Sequence, residues 1–316
     1  MSANETSVRD TYDASAPICL REDELIAEQQ GFAGRKPNAW DRIGYVQVID
    51  EPRGVAVTNN VASSQTGEIF NVRHAHVFSQ VRFCVSGAMR FGADTFERGD
   101  LQFVGDSVMY GVMQPSNPPT TEPLKFVQTQ FTGPSGRPFI DKTLLQATQD
   151  ELAKHGEFRD GIFHPTGGHP MDSFDAIVLA LETGNFELSG RDKIEYPPQR
   201  LSHPLYVHTN ELPWREYGDG VEIKHVLNLF ETGPNVKLVR LRAGATLPAG
   251  KVAFQQTRWV IEGAVEWQDE RYDSISVMYY PPDVAYPRTT AAADDTTLLL
   301  VQWTNADADD LPSVAL

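Results

Sequence analysis

The chain has 316 residues, of which 41% are hydrophobic and 22% are charged, so it is long enough for two domains and has the composition of a folded protein. Asp and Glu total 43 against 27 Lys and Arg, which gives a formal net charge of −16. A negative surface repels phosphate backbones and anionic headgroups. We therefore expect neither nucleic acid nor a membrane as a partner.

The cysteine content and the first residues of the chain indicate the compartment. Cys19 and Cys84 are the two cysteines, and they lie too far apart in sequence to suggest a disulfide framework. The first 17 residues contain no apolar stretch typical of a secretory signal. No apolar run approaches the roughly 20 residues that span a bilayer. These features predict a soluble cytoplasmic protein, with Cys84 as a small core residue.

Short strands separated by turns are predicted in both halves of the chain, with helices between them. A short helix is predicted near residues 22–30. Strand patterns then run through residues 44–131 and return after residue 200. Between these regions, apolar residues at helical spacing predict helices over 142–155 and near 172–182. The pattern favours two sandwich or barrel domains joined by a helical connector.

An internal repeat links the two halves. The matched pairs are Gln80 and Gln256, Arg82 and Arg258, Gly87 and Gly263, and Tyr110 and Tyr286. The glutamine and the tyrosine are 30 residues apart in both halves. Such agreement predicts a duplicated β unit in which a strand carries the Gln and Arg on one face. A glycine then turns the chain into the next strand.

Two histidines in the first half have the spacing of metal ligands. His74 and His76 are two residues apart, so on a strand their side chains point the same way, and Gln80 shares their parity. Two imidazoles on one face can hold one metal ion, and an amide oxygen can add a further ligand. The segment is therefore a candidate metal site.

This segment resembles the first motif of the cupin superfamily, which reads HxH, three or four residues, an acid, six residues and a glycine. Here the pattern is His74-x-His76-x3-Gln80-x6-Gly87, with Gln80 at the acid position. The second cupin motif ends on a histidine ligand, and Tyr110 stands at that position. The resemblance covers both halves, and it is stronger in the first.

The resemblance implies an all-β bicupin with two double-stranded β-helix (jelly-roll) barrels and a short helical connector. The expected divisions are an N-terminal extension over 1–39, a metal-binding barrel over 40–139, the connector over 140–199 and a degenerate barrel without metal over 200–316. Because the sheets of cupins often pair, a homodimer is compatible with this fold.

The resemblance also implies one divalent metal ion, Mn, Fe or Zn, with His74, His76, Gln80 and Tyr110 as candidate ligands. A cupin group similar to hydroxynitrile lyases holds manganese with HxH-x3-Gln and a further histidine, so Gln80 is compatible with a metal. Three roles remain open for Tyr110: a ligand, a general base beside the metal, or a hydrogen-bonding wall. Two roles remain open for Arg82: a catalytic-site group that holds a substrate carboxylate, or a member of an ion pair in the barrel mouth.

Neutral ligands leave the full charge on the ion, which favours Lewis-acid chemistry on a small anionic or carbonyl-bearing molecule. We therefore expect a metal-dependent enzyme of lyase or isomerase type. Two alternatives are a mononuclear Fe(II) dioxygenase, an activity found in many bicupins, and a non-catalytic small-molecule binding protein.

The second half lacks the histidine pair. Gly250 and Val252 stand where the histidines would be, so no metal is expected there. Gln256, Arg258 and Tyr286 persist, either as a metal-free ligand pocket or as structural residues. The sequence favours the structural role.

Overall fold

The computed structural model describes residues 11–13, 15–27, 42–50, 54–64, 74–111, 113–133, 142–159, 161–189, 191, 193–194, 201–229 and 233–303. The chain divides into two compact units. One comprises Glu28–Ile43 and Ala62–Tyr206, and the other comprises Met1–Ala27, Gly44–Val61 and Val207–Leu316. We call them the N-terminal unit and the C-terminal unit.

Strands make up most of the described residues. In the first part of the chain they are β1 Thr11–Asp13, β2 Ile18–Leu20, β3 Ile26–Ala27, β4 Arg42–Asp50, β5 Gly54–Ser64, β6 Phe78–Ser86, β7 Ala88–Phe91, β8 Asp94–Glu97, β9 Asp100–Val104, β10 Met113–Pro115 and β11 Leu124–Thr132. The middle contains α1 Lys142–Leu152, β12 Gly156–Arg159, β13 Ile162–Pro165, β14 Met171–Asp172 and α2 Ser173–Thr183.

The remaining strands follow the second helix. They are β15 Leu205–His208, β16 Arg215–Gly218, β17 Val221–Asn228, β18 Asn235–Leu241, β19 Thr246–Leu247, β20 Gln255–Glu262, β21 Ala264–Trp267, β22 Glu270–Asp273, β23 Val277–Tyr280, β24 Thr289–Ala291 and β25 Thr296–Trp303.

The N-terminal unit is built on antiparallel strands. β6 lies between β11 and β9, and a second sheet has the order β10-β7-β8. Alternation along these strands directs apolar side chains into one core, to which Cys84, Met89, Phe96 and Phe126 belong. The thiol of Cys84 is buried, as predicted, and burial raises its pKa.

The C-terminal unit repeats this plan. Its larger sheet has the order β16-β17-β18-β25-β20-β23-β2, and its smaller sheet has the order β19-β24-β21-β22. The core between their strands contains Val260, Trp267, Met278 and Leu298. β2 pairs antiparallel with β23, so the N-terminal segment supplies the last strand of this sheet. The predicted all-β fold with two cupin barrels is confirmed.

The two predicted connector helices are confirmed. The Asp172 side chain accepts hydrogen bonds from the amides of Phe174 and Asp175 at 2.8 and 3.2 Å, which caps the start of α2, and Gly184 ends it in the left-handed region. Between α1 and α2 lies an antiparallel sheet, β12-β13-β14, which the sequence did not predict. Neither helix of the described chain is long and apolar enough to cross a membrane.

The helix predicted near residues 22–30 is wrong where the structure describes it. Glu22–Glu24 forms one 3-10 turn, and Ile26–Ala27 is strand β3, which pairs with β4. Pairing with a neighbouring strand supplies the backbone hydrogen bonds of this short segment, so local helix propensity does not decide its structure. Residues 28–30 lie outside the described residues.

The structure confirms the internal repeat at the level of the backbone. His74 and Tyr110 form an isolated antiparallel bridge, and so do Gly250 and Tyr286, each partner 176 residues later (250 against 74, 286 against 110). The amide of Ser107 donates to the His76 carbonyl at 2.6 Å, and an equivalent bond closes the corresponding turn in the C-terminal unit. The duplication therefore preserves the turns that position the site.

A substitution at Gly87 tests whether the turn requires this backbone geometry. Its φ is +66°, and a Cβ at this position would lie 2.7 Å from the Cα of Leu124. We expect Gly87→Ala to lower the free energy of unfolding by more than about 2 kcal/mol, because backbone strain and a backbone clash add. Gly167 has φ +73° and open space around it, so Gly167→Ala should cost only about 1 kcal/mol. Equal losses in urea unfolding would contradict the clash.

Candidate metal centre

The histidine pair is positioned by the backbone of Tyr110. The His74 amide donates to the Tyr110 carbonyl at 3.0 Å, and the Tyr110 amide donates to the His74 carbonyl at 2.9 Å. β6 begins at Phe78, so both histidines precede the strand on which the sequence placed them. This bridge brings together two segments that are 34 to 36 residues apart in sequence.

Three side chains converge on the Tyr110 hydroxyl. The Nε2 atoms of His74 and His76 both lie 2.9 Å from Tyr110 Oη, and Arg82 Nη2 donates to the same oxygen at 2.9 Å. All four residues are at most 7% exposed. The structure therefore brings the predicted histidines, tyrosine and arginine into one buried cluster.

The hydrogen-bonding capacity of this hydroxyl is filled by these partners. A phenol donates one hydrogen bond and accepts two. Arg82 can only donate, so one imidazole must donate from Nε2 and the other must accept at Nε2. The two histidines therefore hold different tautomers whenever Tyr110 is protonated and both imidazoles are neutral.

The distances from Tyr110 Oη to His74 Nε2 and His76 Nε2 also suit three ligands of one metal ion. Two ligand atoms at right angles, each about 2.1 Å from one ion, lie about 3 Å apart. The 2.9 Å distances from Tyr110 Oη to His74 Nε2 and His76 Nε2 match this separation. Imidazole nitrogens and a phenolic oxygen suit Mn, Fe or Zn. Among the described residues, no group of three or more His, Cys, Asp or Glu side chains could hold a metal, and the Tyr110 phenol is the further donor that lies beside both imidazoles.

Gln80 faces a different set of partners. Its Oε1 accepts from Gln128 Nε2 at 2.6 Å, Gln130 Nε2 at 3.3 Å and Arg82 Nη2 at 3.4 Å. Its Nε2 is buried without a hydrogen-bond partner among the described residues. Exchanging the two amide atoms would point Nε2 at three donors, so the oxygen is held in place. The ligand role of Gln80 stays a prediction, and it requires the loss of these bonds.

Arg82 is held by neutral acceptors. Its Nε donates to Gln128 Oε1 and its Nη1 donates to Gln102 Oε1, both at 2.9 Å. With the bonds to Gln80 and Tyr110, four of its five N–H groups are used. Within the described part of the chain, no carboxylate forms an ion pair with it. Its positive charge is therefore balanced by no carboxylate among the described residues.

Aromatic side chains cover one side of the cluster. The His76 ring stacks on Phe78 with 4.4 Å between centroids, and it meets the Phe174 ring in a T-shaped contact with 5.2 Å between centroids. Phe174 belongs to the first turn of α2, so the connector contributes to the site. Phe174 was not among the predicted site residues, because the spacing of apolar residues indicates a helix and its buried face but not which side chains that face contacts.

The amides around Arg82 were also missed. Gln128 and Gln130 lie two apart on β11, opposite Arg82 and Gln80. Their alternation could have placed them on the face of Arg82, since residues two apart share a face. Gln102 additionally donates to the Tyr206 hydroxyl at 2.8 Å. Burial raises the pKa of Tyr206 to about 12, so this phenol stays neutral.

The corresponding place in the C-terminal unit has no imidazole. Gly250 and Val252 occupy the histidine positions, and a Cβ at Gly250 would lie 3.2 Å from the Tyr286 hydroxyl. The tyrosine thus fills the space that the first imidazole would need. A metal centre of the same kind cannot form there.

Comparisons with known proteins agree with this fold. The ChrR cupin-like domain family matches residues 202–306. A "putative dioxygenase" from Nostoc punctiforme has a TM-score of 0.58 at 12% identity, covering 95% of this chain and 86% of that protein. An arginine-to-alanine mutant of Bacillus subtilis oxalate decarboxylase has a TM-score of 0.52 at 12% identity, covering 92% and 78%.

A further structure of Bacillus subtilis oxalate decarboxylase, from work on its Mn(II) centres, has a TM-score of 0.51 at 12% identity and covers 92% of this chain and 78% of that one. No curated protein sequence matches the chain. Identities this low show the fold and not the chemistry. The chain therefore has the fold of a bicupin, with two cupin barrels, and residues 202–306 match a cupin-like domain.

Proposed function

We propose that the protein is a metal-dependent enzyme that acts on a small anionic or carbonyl-bearing molecule, with its catalytic centre in the N-terminal unit. The observation that carries this proposal is the convergence of His74 Nε2, His76 Nε2 and Tyr110 Oη, with both nitrogens 2.9 Å from the oxygen. Buried titratable groups that meet at one point are typical of functional sites.

His74, His76 and Tyr110 would hold one divalent ion, Mn, Fe or Zn. Gln80 would join them only by leaving its amide partners. A bound ion of this kind polarises a substrate oxygen and stabilises negative charge that develops on it.

Arg82 attracts the substrate electrostatically. Its charge faces only neutral acceptors among the described residues, so a substrate carboxylate would supply the missing negative charge. Four of its five N–H groups already donate hydrogen bonds. Arg82 could therefore donate two hydrogen bonds to a carboxylate only if one of the existing bonds were broken. We therefore assign it a positioning role through the field it creates and through its bond to Tyr110.

Tyr110 is the group that moves a proton. Its Oη lies 2.9 Å from both proposed ligand nitrogens, so a substrate oxygen at the centre would be within reach of this hydroxyl. With both Nε2 atoms on the ion, the proton would pass between Tyr110 Oη and the substrate, which is general acid–base catalysis by the phenol. The rings of Phe78 and Phe174 keep water away from His76 on the covered side.

Lyase or isomerase chemistry is our first choice, because the described donors include no carboxylate of the kind that completes the ligand set of Fe(II) oxygenases. The fold similarity to the Nostoc punctiforme protein supports a dioxygenase as the second candidate. Anaerobic loading with Fe(II), followed by oxygen uptake with phenols and diketones, separates the two. Oxygen consumption coupled to product would establish the dioxygenase and exclude our first choice.

His76→Ala tests the metal site. We expect metal content to fall to background while the thermal melt changes little, because the barrel cores and not the ion stabilise the fold. His203→Ala removes an exposed imidazole and serves as the control, with metal content unchanged. Elemental analysis beside the melts gives both readouts, and full metal occupancy in His76→Ala would refute the assignment.

Tyr110→Phe tests the hydroxyl. We expect activity to fall by roughly 100-fold or more, since general acid–base groups contribute factors of this size. Tyr217→Phe changes an exposed phenol and should leave activity as in the wild type. If Tyr110→Phe keeps its activity within a few fold, the residue is only a wall of the pocket.

A further inference from the structure

Arg258, the counterpart of Arg82, is buried in the C-terminal unit and has fewer hydrogen-bond acceptors around it than Arg82 has. It lies on β20 and is 4% exposed. Its Nε donates to Gln256 Oε1, whereas its Nη1 is buried and has no hydrogen-bond partner among the described residues. The guanidinium lies over the rings of Tyr280 and Tyr286, at 4.4 and 4.9 Å from their centroids. A buried charged donor without an acceptor is unfavourable unless something else binds it.

The register of the two sheets explains the missing partners. Arg82 lies opposite Gln102 on one neighbouring strand and opposite Gln128 on the other, and both amides accept from it. At the same positions, Arg258 lies opposite Met278 and Leu300. The duplicated barrel has therefore kept the arginine and replaced both amide acceptors by apolar side chains.

A second cation lies on the same interior face. Leu300 pairs with Arg258 on one side and with Lys237 of β18 on the other. Lys237 has the parity of Val239 and Leu241, which belong to the core, and it is 5% exposed. Burial lowers the pKa of its ammonium group. Neither cation forms an ion pair with a carboxylate within the described ranges.

We propose that the C-terminal barrel binds a small carboxylate ligand at Arg258, with Lys237 adding positive charge from the neighbouring strand. A guanidinium presents paired N–H groups that match the two oxygens of a carboxylate. The Tyr280 ring, 4.4 Å from the guanidinium, holds its plane in a fixed orientation. A guanidinium that only filled this space would be better replaced by an apolar side chain, so a purely structural role does not account for it.

A ligand could reach Arg258 if the side chain of Tyr286 rotated away. Its hydroxyl makes no hydrogen bond to another described residue, and it lies beside Gly250, where the first barrel has an imidazole. No polar bond has to be broken for this ring to rotate away from Arg258. Because the rest of the interior is packed with core residues, the ligand must be small. This site is independent of the metal centre proposed for the N-terminal unit.

Acetate is the probe for this site, measured by titration calorimetry on the full chain with sodium chloride at equal ionic strength as reference. We expect Arg258→Met to weaken acetate binding roughly 10- to 100-fold, the loss that follows from removing a charged hydrogen bond. Arg215→Met removes an exposed arginine of the same unit and serves as the matched control, which should retain the binding that Arg258→Met loses. Equal acetate affinity in the wild type and Arg258→Met, or no acetate binding by the wild type, would overturn the proposal.

A second variant keeps the charge and tests the unfilled donor. Met278→Gln gives the Nη1 of Arg258 the acceptor that Gln102 gives the Nη1 of Arg82, so acetate should lose affinity although the arginine remains. Leu300→Gln adds the acceptor that Gln128 gives the Nε of Arg82, and its effect should be smaller because Gln256 already accepts from the Nε of Arg258. Met278→Gln carries the test if Arg258→Met does not fold, and unchanged acetate affinity in Met278→Gln would contradict the site. Metal content is measured in parallel, and a protein that binds acetate without metal would refute the proposed enzyme centre and leave this site standing.

Discussion

The candidate centre depends on one oxygen atom. Tyr110 Oη is the common neighbour of His74 Nε2, His76 Nε2 and Arg82 Nη2, each at 2.9 Å. The backbone bridge between His74 and Tyr110 fixes this meeting point, because it closes the chain between the two motifs. A buried oxygen among two imidazoles and a guanidinium suits the sharing of a proton or the binding of a cation, and these two uses require the same positions of the side chains.

Charge distinguishes the two barrels more clearly than shape does. In the first barrel, amides of β6, β9 and β11 surround Arg82, so the charge is solvated by the protein. In the second, apolar side chains take the positions of two of these amides, and Arg258 keeps an unfilled donor. The two barrels therefore differ at this position: Arg82 is hydrogen-bonded by amides beside two imidazoles, whereas Arg258 keeps a buried N–H group without an acceptor among the described residues. A structural role was predicted for Gln256, Arg258 and Tyr286, whereas the missing acceptors of Arg258 support our proposal that this residue binds a ligand.

Much of the architecture could be predicted from the sequence, because it depends on local patterns. The alternation of strands, the two connector helices and the repeat of Gln, Arg, Gly and Tyr all reflect spacing along the chain. The convergence of His74, His76 and Tyr110 also followed from a motif. The direction of the Gln80 oxygen did not, because Gln128 and Gln130 on another strand determine it. The contact of Phe174 with His76 likewise depends on how a helix packs, which no local pattern encodes.

The central claim concerns what lies between His74 and His76. An anomalous-difference map from crystals of the natively purified protein tests it directly, with data collected on both sides of the absorption edges of Mn, Fe and Zn. We expect one peak within bonding distance of both Nε2 atoms and of Tyr110 Oη, and none at the corresponding position beside Gly250. A map without a peak, in which Tyr110 remains hydrogen-bonded to both imidazoles, would show that the cluster is a metal-free hydrogen-bond network and would contradict the claim.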